Sequence, residues 1–234
     1  MSFKRIALCL MGLVVLLGGC AQAGGEGLGL GSAPWQDGRT VRYQWLDETD
    51  SEIGTSVISY TREGDVWVIA QSDQISGLDQ TFEVRVAADT LAPVSEQKQV
   101  KTADTEFELT TRYEGGKLEI KAVVNGEDRT ASVDVPANAL DNDQLLVSLE
   151  ALPFAEGYKG EVVVVVAQNA LKVPMEVTVQ GQEEIEVPAG TFQAWRVEFK
   201  ASQGIQTVWY KVDAPHTLVL YDNGATRMAL VEGE

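Results

Sequence analysis

The chain has almost none of the side chains that build metal and nucleophile sites. It has two cysteines, Cys9 and Cys20, and one histidine, His216, in 234 residues. A lone imidazole with no thiol beyond residue 20 cannot assemble a histidine or cysteine zinc site. His216 follows Pro215 and reads as a turn residue. Catalytic signatures are missing too: no G-x-S-x-G, no H-E-x-x-H and no glycine-rich phosphate loop after a strand. Asp141 and Asp143 could approach a calcium ion. They lack the spacing of a D-x-D-x-D-G loop, and helix capping explains Asp141 better. Paired-carboxylate hydrolysis leaves no linear trace, because spatial pairing of Asp and Glu is not legible in sequence. The expectation is a non-enzymatic protein with no cofactor.

Positive charge is also scarce. Eighteen Lys and Arg face 35 Asp and Glu, a formal charge of −17. Such a surface repels phosphate backbones, so nucleic acid is not an expected partner.

Long apolar runs are absent. The one run, Ile6 to Leu17, follows Lys4 and Arg5 and spans roughly 18 Å as a helix, against a bilayer core of about 30 Å. That is the plan of a secretory signal, not of a membrane span. It ends in Leu17-Gly18-Gly19-Cys20, which resembles the lipobox of bacterial lipoproteins. The resemblance implies cleavage before Cys20, acylation of its sulfur with diacylglycerol and palmitate-type chains, and a membrane anchor facing the extracytoplasmic side. Loss of residues 1–19 removes Lys4 and Arg5 and no acid, which takes the charge from −17 to −19. Ala21, where aspartate would retain a lipoprotein at the inner membrane, favours the outer membrane if the organism has one. Residues 20–33, with GGEGLGLGS at Gly24 to Ser32, read as a lipidated cysteine and flexible tether, with order beginning at Ala33-Pro34-Trp35. Residues 34–234 read as one domain.

From Thr40 the pattern is short and alternating, with about fourteen candidate strands and an all-β class; Glu176 to Gln180 and Glu184 to Val187 read as two separate strands, and none is read between Ala87 and Glu106. The turns have stereochemical logic. Glu114-Gly115-Gly116, Asn125-Gly126 and Asn223-Gly224 supply positive-φ residues, and Val187-Pro188-Ala189-Gly190 predicts a tight three-residue loop with Gly190 as a left-handed bulge glycine. Val162 to Val166 is a continuous β-branched run, which predicts a strand covered on both faces. Asp141 leads into Leu145, Leu146, Leu149 and Leu152, stopped by Pro153, which predicts one short helix over 142–152 packed on the sheet. Gln80 to Leu91 echoes Gln206 to Leu218, each stretch preceded by a tryptophan strand (Trp67, Trp195), as a duplicated hairpin would.

The segments V-D-V-P-A-N-A-L-D-N-D-Q-L-L (133–146), E-E-I-E-V-P-A-G-T-F-Q-A-W-R-V-E-F (183–199) and T-V-W-Y-K-V-D-A-P-H-T-L-V-L-Y (207–221) together resemble exported bacterial proteins carrying a domain of unknown function, sometimes called TapB-like. The resemblance implies a large curved antiparallel sheet, half-barrel or sandwich-like, similar in outline to the LolA/LolB lipoprotein carriers. It carries no catalytic or binding residues. A curved sheet with an apolar concave face leads to the first expectation, a carrier or scaffold binding an apolar or lipid-like ligand. The alternative is a structural or protein-interaction module of the cell envelope with no small ligand. Carbohydrate binding through Trp67, Trp195 or Trp209 is a third possibility. A carrier needs an empty concave side, a structural module a filled core with an exposed apolar patch, and a glycan binder coplanar exposed tryptophans.

Overall fold

The computed structural model describes residues 27–202 and 204–233, so the leader, Cys20 and the start of the tether lie outside the described residues. Among the described residues, fifteen strands form one sheet. The first eight make a continuous antiparallel meander: β1 (Thr40–Leu46), β2 (Glu52–Glu63), β3 (Val66–Ile75), β4 (Leu78–Ala87), β5 (Pro93–Thr102), β6 (Glu106–Glu114), β7 (Lys117–Val124) and β8 (Glu127–Asp134). A three-residue β9 (Ala139–Asp141) and the helical segment follow. Then come β10 (Lys159–Val166), β11 (Leu171–Val187), β12 (Gly190–Ala201), β13 (Gly204–Lys211), β14 (Leu218–Asp222) and β15 (Arg227–Gly233). β1 pairs with β15 and joins the two halves, so β8 and β9 are the two edges. Every pairing is antiparallel except β9 with β10.

The sheet curls past closure instead of closing. Val162, Val164 and Val166 of β10 point into the main core. Val165, on the other face of the same strand, packs with Ala139 and Ala167 against Leu109, Leu118 and Ile120 of β6 and β7. The β9–β10 end therefore lies inside the β5–β7 end, and the sheet is a spiral with an overlap. The run of valines is covered on both faces, as its composition predicts. The outer edge β8 is exposed along most of its length and carries Glu127, Asp128 and Arg129. Charges of this kind blunt an open strand edge against further pairing.

Turn chemistry and structure agree closely. Asn125 and Gly126 both have positive φ (50° and 83°), as do Gly115 and Gly116. The loop after Val187 is shorter than the three residues expected: Val187 pairs with Gly190 across the two residues Pro188-Ala189, and Gly190 has φ 126°, positive but more extended than a left-handed helical residue. The Asn223-Gly224 turn is wider than a two-residue loop: Asp222 pairs with Arg227, and Asn223 Oδ1 accepts from the amides of Ala225 and Thr226.

The helical segment is one short α-turn, α1 (Leu145–Ser148), between 3-10 turns at Asn142–Gln144 and Leu149–Ala151. Asp141 caps it, its side chain accepting from the Asp143 amide. Leu152 is extended ahead of Pro153, because proline disfavours helix in the residue before it. Leu145, Val147, Leu149 and Leu152 are buried in the core with Tyr43, Tyr60, Phe199 and Tyr210 of the sheet.

Three sequence expectations need correction. Strands β5 and β9 escape the alternation pattern, because the inward positions of β5 include Glu96 and Lys98 and β9 has only three residues. The expected strands at 176–180 and 184–187 are one strand, β11, bent by a bulge between Val179 and Gly181. The tether is shorter than residues 20–33. Leu28 is buried over Gly160, Tyr158 Oη donates to the Leu28 carbonyl at 2.5 Å, and the Gly31 amide donates to Ala151 at 2.9 Å. The glycines suggest freedom, but the leucines between them find an apolar surface.

Candidate functional site

The concave side of the sheet is filled. The helical segment lies within it, and its centre is a buried ion pair rather than a void. Arg39, just ahead of β1, and Glu150, in the last 3-10 turn, meet at 3.2 Å. Glu150 also accepts from Trp35 Nε1 at 3.1 Å and from the Leu218 amide at 3.0 Å, while Arg39 donates to Thr217 Oγ1 at 2.6 Å. Burial pushes the Glu150 carboxyl up to about 7, and Arg39 opposes the shift. These contacts pin the strap (residues 27–39, ahead of β1), the helical segment and the β13–β14 connection to one another. A buried pair of this kind serves positioning more than net stability. Tyr210 Oη donates to the Leu146 carbonyl at 2.6 Å and holds the other end of the segment.

A second polar cluster sits where the spiral overlaps. β5 contributes Glu96 and Lys98, β6 contributes Tyr113, and the capping turn contributes Asp141 and Asp143. Lys98 Nζ donates to Asp143 Oδ2 at 2.6 Å, and Tyr113 Oη donates to Asp141 Oδ2 at 2.6 Å. The Asp143 amide donates to Asp141 Oδ1 at 2.9 Å, and Asn142 Nδ2 to Asp143 Oδ1 at 2.9 Å. Burial, then the charges of Asp141 and Asp143, holds Glu96 well above the usual carboxylate range. Burial and the Asp143 charge push Asp141 up to about 7. Burial acts most strongly on Asp143 and in the same sense, but the Lys98 ammonium and the side-chain hydrogen bonds of its neighbours together outweigh it and hold that carboxyl low. One carboxylate oxygen from each of Glu96, Asp141 and Asp143 lies within 4.8 Å of the others.

A third feature is an open groove of about 620 Å³ across β2 to β6. Its exposed lining includes Ser72, Thr81, Gln97, Gln99, Glu108 and Thr110, which are neighbours through the strand register. These residues alternate with the inward positions, so the groove lies on the outer face of the sheet. It is polar, and none of the tryptophans named above lines it.

The residues singled out from sequence do not converge. Asp141 and Asp143 come together, and Asp141 caps as expected. Cys20 lies outside the described residues. Trp67 is buried edge-on against Trp35. Trp195 stacks on Phe154 at 6.0 Å, and Trp209 donates to Glu183 Oε1 at 2.5 Å. Val197 and Val208 pair in register, so the inward Trp195 and the outward Trp209 are on opposite faces and form no joint platform. The His216 ring packs on Phe154 with Nδ1 3.0 Å from the Lys211 carbonyl, in keeping with a turn residue. Sequence reasoning missed Arg39, Glu96, Lys98 and Glu150. Each is a charged residue at an inward position, which nothing in the linear pattern marks.

Comparison with known proteins agrees with this architecture. A β-barrel-like protein of the domain of unknown function DUF1849 from Brucella abortus superposes with a TM-score of 0.54 at 14% identity, over 85% of this chain and 97% of that one. At that identity the likeness concerns fold alone. A protein inferred to be exported, of YmcC-like fold, from Bacteroides fragilis has a TM-score of 0.37 at 8% identity, over 88% and 99% of the two chains. A protein inferred to be a lipoprotein from Parabacteroides distasonis has a TM-score of 0.32 at 11% identity, over 88% and 99%. No curated protein matches. The model of the family described as protein of unknown function (DUF3108) matches residues 40–230, from the first residue of β1 to the middle of β15, and the chain belongs to that family.

Proposed function

We propose that the chain is an exported lipoprotein, acylated on Cys20, whose domain is a non-enzymatic structural or interaction module of the cell envelope. The filled concave side is the observation that favours this over carriage of an apolar guest. Leu149 and Tyr210 are fully buried where a carrier of LolA/LolB outline would need open space, and the Arg39–Glu150 pair lies among them. An open groove with polar exposed residues lies instead on the outer face, accessible to a partner's surface and unsuited to an acyl chain.

The strap adds a geometric consequence. Six residues, 21–26, separate Cys20 from Gly27, where the described chain begins. Even fully extended they reach roughly 25 Å. The domain therefore works close to the membrane, and its strongly acidic surface keeps it from lying on anionic headgroups.

Native mass spectrometry of protein purified from a bacterial host tests the module reading. Protein free of co-purified lipid, with no fluorescence response to fatty-acid probes, is the expected result. One lipid per chain would overturn it. Cys20→Ser should abolish palmitate labelling and release the chain from membranes, and membrane retention of that variant would refute the anchor.

A further inference from the structure

We propose that Glu96, Asp141 and Asp143 form a calcium site that fastens the overlap of the spiral. The three carboxylates come from two parts of the chain that share no backbone pairing: Glu96 from β5, Asp141 and Asp143 from β9 and the turn after it. Glu96 is 2% exposed, yet its Oε1 has no hydrogen-bond partner. A buried acceptor left without a donor costs about 1–3 kcal/mol. Glu96, Asp141 and Asp143 together line a cavity of about 10 Å³, room for about one water-sized sphere. The donors are oxygens, which select hard cations. Magnesium retains several waters, and a cavity this small cannot house them, whereas calcium accepts a shell supplied by carboxylates. With all three carboxyl groups ionised, the Lys98 ammonium leaves two negative charges, which one divalent ion would neutralise. Lys98 stays paired with Asp143 Oδ2, and Tyr113 Oη, 2.6 Å from Asp141, sits at the site's rim.

The ion would join the inner and outer ends of the sheet where no strand hydrogen bonds do. Its affinity falls in the range of about 10⁻⁴–10⁻³ M typical of extracellular modules, because Lys98 already supplies one positive charge.

The test uses the full-length protein in detergent, stripped with EDTA and titrated with calcium chloride at neutral pH while its melting is followed. A saturable rise in melting temperature is expected with calcium, and a markedly smaller one with magnesium. Glu96→Gln keeps the size and shape of the side chain without its charge, so it should fold normally and lose the calcium response. Asp47→Asn, in an exposed turn, should keep it. Terbium luminescence sensitised through Tyr113 gives a readout independent of stability. It should be displaced by calcium and fall several-fold in Tyr113→Phe. Equal responses to calcium and magnesium in both the wild type and Glu96→Gln would mean simple screening of an acidic surface and would overturn the proposal. So would a wild type that binds neither calcium nor terbium.

Discussion

Leu149→Ala removes the side chain at the centre of the segment that fills the sheet. Leu149 is fully buried in the main core. Leu→Ala changes at such sites cost 2.7–5.0 kcal/mol in a well-studied series, and the cost rises with the cavity left behind. Little relaxation is available here. The surrounding strands are held by hydrogen bonds to neighbours on both sides, and the segment is tied at Glu150 and at the Leu146 carbonyl. A loss near the upper half of that range, about 4 kcal/mol, is expected. For a chain of this length each kcal/mol moves the melting temperature by about 2–4 °C, so the midpoint should drop by roughly 8–16 °C. Urea titration and thermal melts of the purified protein give the two numbers independently. The variant should also gain what the wild type lacks: a dry void that a benzene-sized ligand stabilises. A loss under about 1 kcal/mol, or equal stabilisation of wild type and variant by the ligand, would show that the concave side is not a packed core.

Other outcomes follow from the same structure. Gly54 lies where an added Cβ would sit 2.1 Å from the Gln74 carbonyl oxygen and 2.6 Å from Ile75 Cα, so Gly54→Ala must part β2 from β3 and should cost about 3 kcal/mol or more by urea titration. Burial lifts Glu150 from its ordinary 4.5 to about 7, so the native chain keeps a proton that the unfolded chain has lost, and this group's contribution to stability declines as pH rises from about 4.5 to about 7. Comparing unfolding free energies at pH 5 and pH 8, the wild type should lose about 2–3 kcal/mol more than Glu150→Gln; parallel profiles would refute the assignment. Gly160→Val would push against Leu28 Cδ2, only 3.0 Å from a Cβ at that position, and should free the strap. Limited proteolysis should then cut near residues 28–33 in the variant and spare the wild type.

Much of the fold is legible without coordinates. Strand alternation reflects which side chains meet water, and Asn125-Gly126 or Gly115-Gly116 states its turn through the φ values it permits. Asp141 before a leucine-spaced stretch, closed by Pro153, announces the helical segment, and Val162 to Val166 announces a strand buried on both faces. All of these signals are local: the physics that sets them acts over a few residues. β5 was unreadable because two of its inward residues, Glu96 and Lys98, are charged, and alternation assumes that charge points outward. That assumption fails where a buried charge has a partner. Lys98 finds Asp143 forty-five residues away and Arg39 finds Glu150 at a separation of 111. The strap is a similar case, since only the fold supplies the surface that Leu28 covers. Sequence by itself therefore determined the strands, the turns and the expectation of an anchored exported domain. The tertiary structure alone decided that the sheet overlaps itself, that its hollow is filled, and that three carboxylates meet at the overlap, because burying a charge is tolerable only after distant parts of the chain have come together.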